Sequence, residues 1–281
     1  ERINVKPIAG ALGAEIEGVN MAEPMGNQVF QEVHDALMEH QVIFLRDQHV
    51  SPGEHVAFAR QFGTLHVHPY APSLDDHPEV LILKSSKANR SAANAWHSDV
   101  TFQEEPPMGS ILLARQVPDH GGDTMWANMA MAYARLPDPV RARISDLYAK
   151  HSLEQYFGAQ MPRERRLKLA ARVPATEHPV VVTHPETGEK VLFVNQPFTT
   201  HFTNFFDFQD VRFGQDFFSA GALLDYLKAQ AQNPEFQVRL KWRPGTVALW
   251  DNLLTQHYAV SDYGRGPRKM LRATLKGAPL N

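Results

Sequence analysis

The chain has 281 residues, of which 43% are hydrophobic and 21% are charged, and its formal net charge is −3. This composition is sufficient for a hydrophobic core, and it provides no basic field that would attract nucleic acid or an anionic membrane. No apolar run approaches the length that spans a bilayer, so neither nucleic-acid nor membrane partners are expected. The chain lacks cysteine, which excludes disulfides, zinc–thiolate and iron–sulfur sites and fits a cytoplasmic location.

Short strands and helices alternate along the predicted structure. The apolar spacing over 28–40 predicts a helix, and a buried strand follows at 42–45. A capping box at 51–54 begins a second helix, which Gly63 is expected to end. The other predicted strands are 80–83, 96–102, 111–113, 124–126, 180–182, 191–193, 236–242, 246–250 and 270–276, and the other predicted helices are 130–136, 139–147, 163–171 and 217–232.

These elements predict a mixed α+β fold that is mainly β, with a double-stranded β-helix (jelly roll) core and flanking helices. Periodicity alone supports only the mixed α+β class. The chain has no internal repeat or low-complexity linker, so we expect residues 1–281 to form a single domain with helical and lid-like insertions near 130–175 and 199–218. The Phe-rich segment 202–218 has no clear period and is either core packing, a subunit contact or an aromatic lid over a pocket.

His97 and Asp99 are two residues apart in an aromatic and β-branched stretch. On a strand their side chains would point to the same face and could bind one metal ion. A second His from a distant strand would complete the two-His, one-carboxylate set of non-haem iron oxygenases. The same spacing occurs at His77 and His184, but an intervening Pro favours a turn or a strand edge there. Spacing alone does not distinguish a metal pair from a half-buried His.

Several motifs occur together with this pair, in a fixed order. They are 96–102 (WHSDVTF), 121–126 (GGDTMW), 178–181 (HPVV), 247–252 (VALWDN), 255–257 (TQH) and 268–274 (RKMLRAT). With them the chain resembles the taurine dioxygenase branch of the Fe(II)/2-oxoglutarate-dependent dioxygenases, the TauD/TfdA family. The resemblance extends over nearly the whole chain, from residue 8 to residue 275.

The resemblance implies a catalytic centre in which His97, Asp99 and His257 ligate Fe(II). It also implies that Arg268 pairs with the C5 carboxylate of 2-oxoglutarate and that Thr124 donates a hydrogen bond to it. The implied reaction consumes 2-oxoglutarate and O₂, yields succinate and CO₂, and hydroxylates an unactivated C–H bond. A hydroxyl placed next to oxygen or sulfur would collapse to an aldehyde or ketone. The alternatives are that Arg268 is a surface cation and Thr124 an ordinary strand residue.

In taurine-type members a His and a second Arg hold the anionic group of the substrate. The matching positions are His68 and Arg272, and Tyr70 and Phe198 match the remainder of the substrate pocket. Arg268 and Arg272 are four residues apart and would share one face of a strand. The alternatives are a half-buried loop His at 68 and packing alone for Phe198.

Two departures from the taurine pattern bear on the substrate. Tyr70 follows a Pro directly, so that Ala71 takes the usual Tyr place, and Ala93 replaces an expected Asn, which is one residue along at Asn94. An apolar wall with retained anion-binding residues suits a longer alkyl sulfonate, a sulfate ester or an aryloxyalkanoate. Taurine would be disfavoured, because its buried amine would lack partners.

Other classes of function are less consistent with these residues. A non-catalytic jelly roll that binds a metal or small ligand would have to retain the whole residue set by accident. A zinc hydrolase with the same three ligands has no role for Arg268 and no obvious general base. The expected partner is a small organic anion, and a homo-oligomer, either a dimer or a tetramer, is expected from the resemblance.

Overall fold

The computed structural model describes residues 3–68, 72–85, 93–154, 161–205, 219–262 and 266–280. The strands in this part of the chain are β1 (Asn4–Pro7), β2 (Ala14–Glu17), β3 (Val42–Leu45), β4 (Ser73–Leu74), β5 (His77–Ser85), β6 (Gly109–Gln116), β7 (Thr124–Asn128), β8 (Tyr148–His151), β9 (Thr176–Pro179), β10 (Val181–Thr183), β11 (Lys190–Leu192), β12 (Thr199–Phe202), β13 (Gln237–Leu240), β14 (Val247–Asp251), β15 (Thr255–Ala259) and β16 (Arg268–Leu275). The helices are α1 (Asn27–His40), α2 (Pro52–Arg60), α3 (Met129–Ala134), α4 (Asp138–Ile144), α5 (Arg163–Arg172) and α6 (Ala220–Ala229), with 3-10 turns at Gln230–Gln232 and Pro234–Phe236.

The protein is a mixed α and β structure made mostly of strands. Its largest sheet has eight strands in the order β1-β2-β3-β14-β6-β16-β5-β4. The pairs in this sheet are antiparallel except β2–β3. A three-stranded sheet, β13-β7-β15, carries one part of the site described below, and β12-β8-β9 and the β10–β11 hairpin complete the sheets.

The central strands of the large sheet are buried on both faces, as the alternation along β3 illustrates. Ile43 and Leu45 belong to a core cluster that includes side chains of α1 and α2. Val42 and Phe44 face the other way, into a cluster shared with β7 and β13, where the ring centroids of Phe44 and Trp126 are 5.4 Å apart. A strand covered on both faces is continuously apolar, which is why this run predicts a buried strand.

The helix predictions are confirmed with small changes at the ends. α1 and α5 form as expected, and α5 has no buried residue, in agreement with a charged surface helix. The capping box forms at Ser51 and Glu54, but α2 ends at Arg60 rather than at Gly63. The helix predicted over 217–232 begins at Ala220, with Ser219 as its N-cap.

One strand prediction near the site was wrong, and one strand of the site was not predicted. The stretch 96–102 is not a strand: His97 forms an isolated bridge with His257, and the backbone then enters a turn at Asp99. The reason is that a distant side chain binds the backbone groups of Asp99 that a strand would use for pairing. β15, which carries His257, was not predicted, because its buried Gln256 and His257 are polar and give no apolar pattern typical of a core strand.

The described beginning of the Phe-rich segment packs in the protein interior. Phe202 and Phe205 are buried and stacked, with ring centroids 5.7 Å apart. The guanidinium of Arg143 lies over the Phe205 ring at 4.2 Å. The packing interpretation therefore applies to these two residues, while residues 206–218 lie outside the described part of the chain. Among the helices described, none has the length and apolar character needed to cross a membrane.

Candidate active site

Two histidines and one carboxylate meet where the isolated bridge joins β15. The backbones of His97 and His257 exchange two hydrogen bonds, of 3.1 and 2.7 Å, which places both imidazoles side by side. One carboxylate oxygen of Asp99, Oδ1, is 3.7 Å from Nε2 of each imidazole. The three donor atoms lie within 4.8 Å of one another, and all three residues are buried. This spacing is suitable for donors that share one metal ion.

The hydrogen bonds and electrostatic surroundings of the three groups suit metal binding. Nδ1 of His97 donates to the carbonyl of Ala95 at 2.7 Å, so Nε2 presents its lone pair to the common point. Burial, followed by the neighbouring His97, lowers the pKa of His257 to about 3, so this imidazole is neutral. Burial alone would raise the pKa of Asp99, but Arg272 and the two imidazoles lower it to about 2, so the carboxylate is ionised.

Asn252 holds the backbone of Asp99. Its side-chain oxygen accepts from the N–H of Asp99 at 2.7 Å, and its amide nitrogen donates to the carbonyls of Asp99 and Pro107, both at 3.0 Å. The next residue, Val100, has a φ of 57°. Asn252 lies in one of the motifs that carry the resemblance, but no role was predicted for it. The sequence signal for such a role is an Asn directly after a buried strand, where its side chain can bind backbone groups of a turn.

A cavity of about 370 Å³ opens on the three donors. Its wall includes Thr124 from β7 and both Arg268 and Arg272 from β16. The structure thus brings the predicted metal and co-substrate residues to one cavity. Arg268 is buried, which excludes the alternative of a surface cation. The hydroxyl of Thr124 accepts a hydrogen bond from the Trp242 indole at 2.9 Å, so its own proton stays available to a ligand.

Arg272 makes a contact that was not expected from the sequence. Its Nη1 lies 3.1 Å from Oδ2 of Asp99, the carboxylate oxygen opposite to the one near the imidazoles. His68 is half-buried, and burial, then His66 and Arg272, lowers its pKa. The positive charge of Arg272 thus disfavours the protonated form of His68.

The remaining predicted pocket residues are distributed as follows. Phe198 is buried, and its ring stands edge-on to the ring of His97 at 6.4 Å. Ala93 lines the cavity. Tyr70 and Ala71 lie outside the residues that the structure describes.

Neither of the other two His-x-Glu sequences is part of the site. His77 begins β5, where the following Pro is accommodated at the strand end. His184 lies in the turn of the β10–β11 hairpin and is buried against Asp251, with Nε2 and Oδ2 2.9 Å apart. Nε2 of His184 is therefore hydrogen-bonded to the Asp251 carboxylate, which also accepts hydrogen bonds from the backbone N–H groups of the turn after β14.

Two imidazoles and one carboxylate on one side of a buried cavity are typical of mononuclear non-haem iron oxygenases. Comparison with known proteins agrees with this class. The family described as taurine catabolism dioxygenase TauD, TfdA family, matches residues 4–274, and the chain belongs to this family of enzymes.

Three relatives illustrate the similarity. An alkylsulfatase of Acinetobacter baylyi is 37% identical over 99% of this chain and 86% of its own length. An alpha-ketoglutarate-dependent sulfate ester dioxygenase of Pseudomonas putida is 38% identical over 98% of this chain and 90% of its own. The crystal structure of a taurine dioxygenase from Burkholderia xenovorans matches with a TM-score of 0.82 and 36% identity over 99% of this chain and 90% of that chain.

Proposed function

We propose that the chain is an Fe(II)- and 2-oxoglutarate-dependent dioxygenase that acts on an alkyl sulfate ester. The observation that carries the proposal is the cavity itself, in which a two-His, one-carboxylate donor set faces two arginines from one strand. Two anion sites next to one metal site suit a dicarboxylic co-substrate and an anionic substrate. The sulfate ester is preferred over a sulfonate or an aryloxyalkanoate because two of the similar proteins above are named for sulfate ester chemistry.

His97, Asp99 and His257 would hold the iron. When bound, iron with 2-oxoglutarate and O₂ supplies the oxidation that converts a C–H bond to C–OH, giving succinate and CO₂. The chain provides binding and exclusion of water. The planar guanidinium of Arg268 is suited to bidentate pairing with the distal carboxylate, and the Thr124 hydroxyl is suited to donate a further hydrogen bond.

Arg272 and His68 would bind the sulfate group of the substrate, with Phe198 as an apolar wall, and Tyr70 is proposed from the sequence as a further substrate-binding residue. A charged anion held at Arg272 places the adjacent carbon close to the metal, because Arg272 itself contacts the ligand Asp99. Hydroxylation at the carbon bonded to the ester oxygen gives a product that breaks into an aldehyde and inorganic sulfate. The cavity wall at Ala93 has no polar side chain to pair with an amine.

We also propose that the large sheet and the β13-β7-β15 sheet together form a double-stranded β-helix within a single domain. The match over residues 4–274 supports this arrangement. The cytoplasmic location and the dimeric or tetrameric state stay predictions.

A substrate panel tests the function. The purified chain is supplied anaerobically with Fe(II) and 2-oxoglutarate, and then with O₂ and a medium-chain alkyl sulfate, the matching alkyl sulfonate, taurine or an aryloxyalkanoate. We expect substrate-dependent succinate with equimolar sulfate and aldehyde from the alkyl sulfate, and much less succinate from taurine. Succinate from another member of the panel alone would correct the substrate. Metal binding without substrate-dependent succinate from any compound would favour a non-catalytic binding protein.

A further inference from the structure

The carboxylate ligand lies in a backbone conformation that needs support. After the isolated bridge at His97, the chain turns at Asp99, and Val100 adopts a φ of 57°. This left-handed region is unfavourable for a β-branched residue. Such a residue stays there only when surrounding contacts hold it, and such sites often coincide with function.

Asn252 supplies those contacts. It is fully buried, and its amide group satisfies both backbone groups of Asp99 and the carbonyl of Pro107. Its own N–H donates to the carbonyl of Met108 at 2.8 Å. The preceding residue, Asp251, accepts from the backbone N–H groups of Leu253 and Leu254, which fixes the turn in which Asn252 lies. The backbone of Asn252 is therefore held in place, and its side-chain amide has a fixed position relative to Asp99.

The side chain of Asp99 is fixed at its other end. Arg272 holds Oδ2, and Oδ1 is left facing the imidazoles of His97 and His257. With the backbone bound by Asn252 and one carboxylate oxygen bound by Arg272, Asp99 has little freedom to move away from the common point. A preformed ligand loses less conformational entropy when a divalent cation binds.

We infer that Asn252 is the positioning residue of the metal site: it acts through the backbone of Asp99 and sets the affinity for the divalent cation. This inference rests on the proposed function, because it takes His97, Asp99 and His257 as the metal ligands. The competing explanation is that Asn252 only stabilises the buried turn that contains Asp99, without an effect on the metal site.

Asn195 provides a matched control. It is also a buried Asn, and its amide nitrogen donates to the hydroxyl of Thr101 at 2.9 Å, two residues beyond Asp99 in the same turn. Its oxygen accepts from the N–H of Phe198 at 3.0 Å. Asn195 therefore supports the turn without contacting the ligand residue.

The test measures Mn(II) binding to the full chain by calorimetry, independently of turnover. We expect Asn252→Ala to raise the Kd for Mn(II) by about 10- to 100-fold, the usual effect of removing an outer partner of a metal ligand. Asn195→Ala should change this Kd by less than about threefold. If Asn252→Ala does not fold, Asn252→Ser, which retains a hydroxyl at this position, is measured in its place.

Unfolding measurements separate positioning from general destabilisation. Urea titrations of metal-free Asn252→Ala and Asn195→Ala give the stability that each variant loses, and we expect the Kd for Mn(II) to rise by more than about threefold only in Asn252→Ala, whichever variant is the less stable. The inference is overturned if folded Asn252→Ala binds Mn(II) like the wild type. It is also overturned if Asn195→Ala loses as much affinity. A wild-type chain that does not bind Mn(II) would overturn the proposed metal site together with the inference.

Discussion

The two oxygens of Asp99 have different partners, and this division governs the chemistry available at the site. Oδ1 faces the imidazoles of His97 and His257, whereas Oδ2 is bound by the guanidinium of Arg272. A carboxylate held in this way would offer Oδ1 to a metal ion. The same Arg272 can still present its remaining N–H groups to a substrate anion.

Removal of the His97 imidazole should abolish metal binding at the site. We expect His97→Ala to lose Mn(II) and Fe(II) binding and, with it, 2-oxoglutarate decarboxylation down to background, because two remaining donors cannot hold a labile ion. Calorimetry and succinate release are the measurements. His77→Ala, which removes the first residue of a His-x-Glu sequence far from the donors, is the control and should leave both unchanged. Equal effects of the two substitutions would refute the ligand assignment.

Substitution of the two arginines of β16 should affect the binding of different ligands, 2-oxoglutarate for Arg268 and the substrate for Arg272. Arg268→Lys retains the charge but loses the planar fork, so the Kd for 2-oxoglutarate should rise by about tenfold, in line with about 1.5 kcal/mol for a charged hydrogen bond. The KM for the alkyl sulfate should stay within about twofold. Arg272→Lys should give the reverse pattern. A common effect of both variants on the same ligand would mean that the two anion sites are not distinct.

Among the helices and strands, those defined by local signals were predictable. α1 follows from its apolar spacing, and α2 from a capping box that uses residues three apart. The turn at Asp99 was not predictable, since the amide that binds its backbone is 153 residues away in the sequence. The pairing of His97 with His257 was not predictable either, because an isolated bridge leaves no periodic pattern in the sequence.

α2 is connected to the large sheet by a buried histidine, and this contact should make stability depend on pH. Nε2 of His55 donates to the carbonyl of Ile111 in β6 at 3.2 Å. Burial lowers the pKa of His55 from 6.5 to about 4, and Arg115 adds to this effect. In the unfolded chain this histidine becomes protonated below pH 6.5, whereas in the folded chain it becomes protonated only near pH 4. The free energy of unfolding therefore falls as the pH falls from 6.5 to about 4.

Between pH 7.5 and 5 this residue should account for a loss of about 2 kcal/mol in the free energy of unfolding. We expect His55→Gln, which keeps an N–H donor, to show a smaller loss than the wild type over the same range. Urea titrations of both metal-free proteins at the two pH values give the comparison. Because the other buried histidines are common to both proteins, their contributions cancel. Parallel pH dependences in the two proteins would contradict this role for His55.

For the molecule as a whole, the site joins parts that are distant in the chain. Thr124 and His257 belong to the β13-β7-β15 sheet, Arg268 and Arg272 to the eight-stranded sheet, and Asp99 to a turn outside both sheets. The residue types and motif order predicted that these groups would meet. The sequence did not reveal the Arg272–Asp99 contact, because it depends on how the two sheets pack.

A ligand whose donors are distant in the sequence stabilises the folded state as a whole, because the unfolded chain cannot present the same set of donors. With Mn(II) at about 100 times its Kd, mass action adds about 2.7 kcal/mol, which corresponds to a rise in Tm of about 5 °C for a chain of this size. We expect 2-oxoglutarate to add a further increase only after the metal is bound, since the metal offers it additional ligand positions. Thermal unfolding of the wild type and Asp99→Ala with metal, co-substrate or both would show this order. An equal rise with 2-oxoglutarate alone, or a metal-dependent rise in Asp99→Ala, would mean that the ligands stabilise the protein at some other place.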